Sequence, residues 1–65
     1  MKRLVFEITH NTKGDSKREV VEVITDRTPE WTESQYLRHR MDTKMYLISE
    51  TETDQTETSW KTISS

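Results

Sequence analysis

The chain reads as a small α+β domain of order β-β-α-β-β, with one short helix packed on one face of an antiparallel sheet. Three observations lead there. Apolar and polar residues alternate with a period of two in four separate runs. Helix-start signals occur once, between the second and third runs. The only glycine, Gly14, sits in a polar turn between the first two. The expected organisation is a single domain over 1–65, with a hairpin over 3–25, a helix over about 32–41 and a hairpin over 44–63.

Taken in order, Leu4-Val5-Phe6-Glu7-Ile8-Thr9 places Leu4, Phe6 and Ile8 on one face of a strand. Asn11 to Ser16 supplies turn formers, with Gly14 as the positive-φ residue. Glu19 to Thr25 forms the second strand. Val21, Val23 and Thr25 lie on one face and Val20 and Ile24 on the other, so its inward face is ambiguous. Asp26-Arg27-Thr28-Pro29 stops that strand. Thr28 as cap and Pro29 at the first helical position offer one helix start. Thr32 and Gln35 offer a second as a T-x-x-Q capping box, with Trp31 and Tyr36 as its hydrophobic staple, and this later start is preferred. Tyr36, Leu37 and Met41 then face the sheet, and Arg38 and Arg40 complement the helix C-terminal dipole.

Lys44 to Thr53 and Thr56 to Ile63 are the last two strands. Pairing Thr53 with Thr56 sets Ser49 opposite Trp60 and puts the threonines and Trp60 on one face. Glu50, Glu52 and Glu57 fall on the other face, toward the tip. Two features work against this register. Asp54-Gln55 lacks the Gly of a favoured two-residue turn, and Glu52 stands opposite Glu57.

A chain of 65 residues with 29% hydrophobic content has a small core. Leu, Ile, Val and Phe number twelve, and there is no Cys to staple the fold. Such a chain is expected to dimerise or to bind a partner. The two tryptophans are expected in the core. No apolar run approaches a membrane span, and Met1-Lys2-Arg3 precedes too short and too charged a stretch for a signal peptide, so the chain reads as cytoplasmic.

No catalytic, cofactor or metal-ligand motif is present. His10 and His39 have no second ligand at metal spacing, no Ser lies in a nucleophile elbow, and one Gly makes no phosphate loop. The chain is therefore expected not to be an enzyme and to carry no cofactor. Residues 50–65 hold four acids against one base, while 1–49 hold eight acids against nine bases. Carboxylates spaced along a strand steer a chain to a basic protein surface, or simply protect an exposed edge from aggregation. The expected partner-binding residues are Glu50, Glu52, Asp54 and Glu57 for steering, with Trp60 or Trp31 as anchor. An alternative is a dimeric nucleic-acid binder or small regulator using Arg38, His39 and Arg40 beside Tyr36, against which stands a pI near 5.6. A third reading is an accessory subunit whose last strand adds to a partner's sheet.

Pro29-Glu30-Trp31-Thr32-Glu33-Ser34-Gln35-Tyr36, between a hairpin and a further strand, resembles the layout of small phage early proteins of the host-takeover kind. These include the T-even antitoxin type and the small phage inhibitors of host RNA polymerase. The resemblance covers residues 2–50 in layout, and Trp31, Gln35 and Tyr36 in residues. It implies a short, Cys-free protein that works by occupying a surface of a larger host protein. The acidic, threonine-rich strand is not part of that pattern.

Overall fold

A computed structural model describes residues 1–64, Thr12 for its backbone only; Ser65, the end of the expected domain, lies outside the described residues. Its elements are β1 (Lys2–Thr12), β2 (Asp15–Thr25), α1 (Pro29–Leu37), β3 (Thr43–Glu52) and β4 (Ser59–Ser64). All four strands form one antiparallel sheet of order β3-β1-β2-β4, with the helix on one face. The α+β class and the element order are as expected.

The first hairpin is regular from Lys2↔Thr25 to Thr12↔Asp15, which leaves Lys13-Gly14 as the turn. Gly14 has φ 76°, where a side chain other than Gly is strained. A Cβ there would meet nothing within 4 Å. Gly14→Ala therefore isolates the backbone cost, expected at about 1 kcal/mol. Thermal unfolding should drop by about 4–8 °C, and an unchanged midpoint would show that the turn readjusts freely.

Leu4, Phe6 and Ile8 of β1 lie opposite Val23, Val21 and Glu19 of β2. Leu4, Phe6, Ile8, Val21 and Val23 make the buried cluster with Met45 of β3, and Tyr36 and Leu37 of α1 pack over it. The sheet's second face is mixed: Val5, Val20, Ile24 and Tyr46 share it with the ion pairs Arg3 to Glu22 at 2.7 Å and Arg18 to Glu7 at 3.8 Å.

The helix starts four residues earlier than the preferred expectation. Thr28 is the cap, with extended φ −74° and ψ 157°, and its hydroxyl accepts from the Trp31 amide at 3.1 Å; Pro29 opens the helix. The Thr32/Gln35 capping box and the Trp31/Tyr36 staple do not form. Thr32 is instead buried within α1, donating its hydroxyl to the Thr28 carbonyl at 3.0 Å. The proline presets the first helical φ, so the earlier cap wins. It also turns Thr32, Tyr36 and Leu37 toward the sheet. Thr28→Ala should cost about 1 kcal/mol, read as a lower urea midpoint; no shift would mean that Pro29 alone starts the helix.

The helix ends at Leu37, not Met41. Arg40 N donates to the Leu37 carbonyl at 3.1 Å and Asn11 N to the Asp42 carbonyl at 2.8 Å. The chain leaves the helix to reach β3, and Met41, expected against the sheet, is 98% exposed.

The second hairpin, expected over 44–63, is absent. β3 pairs with β1, and β4 pairs with β2 on the far edge. Trp60 faces Val23 and Thr62 faces Val21, where Ser49 and Leu47 were expected. Residues 53–58 cross the end of the sheet between the two edges, with Thr53 N donating to the Met1 carbonyl at 3.1 Å. The pairing has a direct cause. β2 carries apolar side chains on both faces over Val20–Ile24, so it is better placed inside a sheet than at an edge. Moving β4 there also removes the Glu52–Glu57 clash. Each edge strand holds one bulge, at Ile48 in β3 and at Ile63 in β4. Among the described residues, no helix is long and apolar enough to cross a membrane.

Candidate functional site

Helical spacing puts Trp31 and Gln35 one turn apart along the flank of α1 that faces β4 across a groove. Across from them stand Ser59 and Trp60 of β4, with Asp26 and Arg27 leading out of β2 at one end. Together they enclose an open groove of about 700 Å³. Its floor is the Val23–Thr25 end of β2, and Tyr36 and Arg40 line it toward the helix C-terminus.

Three rings meet here. Tyr36 and Trp60 stack at 5.0 Å between centroids, 8° from parallel. The Arg40 guanidinium lies 4.3 Å from the Tyr36 ring centre and donates to the Tyr36 carbonyl at 2.8 Å. Arg27 lies 5.1 Å from the Trp31 ring centre. A ring under each guanidinium holds it in place without itself cancelling its charge. The carboxylate lining the groove is Asp26, 3.9 Å from Arg27.

The tryptophans are not core residues. Trp31 is 46% and Trp60 43% exposed. A nine-residue helix over four strands leaves room for aliphatic side chains and one Phe, and Trp60 sits on an edge strand. What remains outward is a broad apolar surface facing a groove.

The four expected acids share one end of the molecule. Beyond the Ile48 bulge, Glu50 and Glu52 lie opposite Leu4 and Lys2 on the helix side of the sheet. Lys2 Nζ reaches Glu50 at 3.2 Å. Asp54 and Glu57 lie in the connection that runs into Ser59 and Trp60, and all four acids are exposed. They form a rim at the sheet's end rather than the flank of a projecting hairpin.

The structure thus joins Trp31, Trp60 and Arg40 in one site, and leaves Arg38 and His39 exposed outside its lining. Arg27 and Tyr36 complete the groove; Arg27 was in neither expected set, and Tyr36 stood only beside the arginines of the nucleic-acid alternative. A readable signal existed, since Arg27/Trp31 and Tyr36/Arg40 are both i, i+4 pairs of cation and aromatic. At the far end of the sheet, His10 bridges Glu19 and Thr43 at 3.4 Å each, a cross-strand link. No cluster of three or more His, Cys, Asp or Glu suited to a metal ion occurs among the described residues.

Fold and site define a class: a small α+β protein with an arginine-edged aromatic groove and an acidic rim. No protein-family model, curated protein or solved structure matches the chain.

Proposed function

We propose that the chain is a small non-enzymatic binding protein of the phage inhibitor or antitoxin kind, acting in the cytoplasm, that of the host if it is phage-encoded. It masks a basic functional surface of a larger protein. Glu50, Glu52, Asp54 and Glu57 steer the encounter, and Trp60, with Trp31 behind it, anchors the contact. The observation that carries this reading is the rim: four exposed carboxylates at one end, one of them held by Lys2, leading directly to a half-exposed indole. Exposed charge of one sign speeds association with an opposite surface. A large ring left half in water in so small a protein is suited to burial by a partner.

The test is co-purification of the tagged chain from its native cell, with and without Glu50→Lys, Glu52→Lys, Asp54→Lys and Glu57→Lys together. The reversed chain should lose the protein that the native chain retains, by a factor of about ten or more at low salt. Equal retention by both chains would end the steering role.

A second reading is a nucleic-acid-binding regulator using Arg38, His39 and Arg40. It is favoured by the guanidiniums of Arg40 and Arg27, each set on an aromatic ring.

A further inference from the structure

We propose that the groove between α1 and β4 binds a short stretch of single-stranded nucleic acid, with bases on Trp31 and Trp60 and phosphates on Arg27 and Arg40. This rests on the second reading above and is independent of the acidic rim. It replaces the Arg38–His39–Arg40 segment as the contact surface with a built site.

Three features of the groove point to that ligand. Charge is the first: Arg27 and Arg40 line it, against the single lining carboxylate of Asp26. A cationic channel suits an anion, although the chain as a whole carries a net charge of −2. The form of the cations is the second. Each guanidinium lies over a ring and has five N–H donors, so beyond the bond of Arg40 to the Tyr36 carbonyl and the contact of Arg27 with Asp26 others remain for phosphate oxygens, and little freedom is lost on binding. The rings are the third. Tyr36 is occupied by Trp60 and Arg40, while both indoles remain close to half exposed. Every base has a π-face, so stacking on such rings is tolerant of sequence.

The rest of the molecule limits the ligand. A duplex keeps its bases stacked inside, out of reach of the indoles, and meets the net negative field of the chain. Glu57 precedes the lining residue Thr58, so the rim repels a strand leaving by that end. The site therefore takes a few nucleotides of an unpaired strand.

Both tryptophans of the chain line the groove, so intrinsic fluorescence reads its occupancy. Oligothymidylate of about twelve nucleotides, titrated into the full chain at about 50 mM salt, should quench that fluorescence with a micromolar midpoint. A duplex of the same length should bind at least about ten times more weakly, as should an abasic strand that offers phosphates without bases. Trp31→Ala should weaken binding of fluorescently labelled oligothymidylate, followed by anisotropy, by about ten-fold. Arg27→Ala with Arg40→Ala should lower the slope of log affinity against log salt by about 1.4, two phosphate contacts at ~0.7 each. Arg27 and Trp31 are exposed, so their variants are expected to fold even where one at Trp60 does not; circular dichroism checks this.

Several results overturn the inference: no quenching at about 100 µM oligonucleotide, equal affinity for duplex or abasic strand, or indifference to Arg27→Ala and Trp31→Ala. Fluorescence that changes on diluting the protein alone, and stops changing in the rim-reversed chain, would place a second copy in the groove and overturn it equally. The two proposals fail separately. Reversing the rim acids leaves oligonucleotide binding intact or strengthens it, whereas Arg27→Ala with Arg40→Ala, neither of them in the rim or its anchor, leaves capture of the protein partner in place.

Discussion

Phe6→Ala is expected to leave the chain unfolded at room temperature. Phe6 is fully buried and central to the sheet, opposite Val21 on one side and Leu47 on the other. It is the largest of the fully buried side chains. Deleting such a ring costs about 3–5 kcal/mol, because the walls of the cavity relax only in part. A core of this size supplies no more than about 3–5 kcal/mol of net stability. The two ranges coincide, so the folded population falls to a minor fraction. Far-UV circular dichroism with a urea titration reads the result directly. A variant that keeps a cooperative transition within about 1 kcal/mol of the native chain would place the stability outside this cluster.

Ending the chain at Thr58 should remove well over half of the native urea midpoint. β4 is exposed at every position, yet it covers β2 from Val20 to Ile24. Its ladder bonds and the ordering of its residues oppose one another and come close to cancelling. What is left is the half-burial of Trp60 and its stack on Tyr36, together about 2–3 kcal/mol. Amide exchange locates the damage. Protection should collapse along Val20–Ile24 and persist in β3, because β3 is held by β1. Loss confined to β3 would instead restore the hairpin over 44–63.

Where an element is local, its signal in the sequence was sufficient. Alternation along Leu4–Ile8 put those side chains inward, and Gly14 alone provides the positive φ its turn requires. Alternation likewise set Trp60 and Thr62 on the helix side of the sheet. It does not name the neighbour, because a period of two fixes the face of a strand and leaves its partner open. The information lay elsewhere. Apolar residues on both faces of Val20–Ile24 mark a strand with neighbours on both sides, and the opposed Glu52 and Glu57 argue against the hairpin that was preferred. The helix start shows the same competition at short range, with two valid caps four residues apart. Packing of Thr32, Tyr36 and Leu37 on the sheet goes with the earlier one. As for the site, its aromatic and cationic members were visible as i, i+4 pairs. Their convergence with Trp60 depends on β4 crossing to the far edge, which no local pattern encodes.

The bulges at Ile48 and Ile63 bear on a different matter, the growth of fibres. Open sheets invite templated stacking along their unpaired edges. In β3 the straight ladder runs only from Thr43 to Leu47 before the bulge, and in β4 from Ser59 to Thr62. A foreign strand laid against either edge meets a kink and a change of twist within about one strand's length. That interruption weakens the accessory-subunit reading, which needs β4 to extend another sheet. It also lets Tyr46, Leu47, Ile48 and Ile63 stand at the edges in water with no regular template for a polymer.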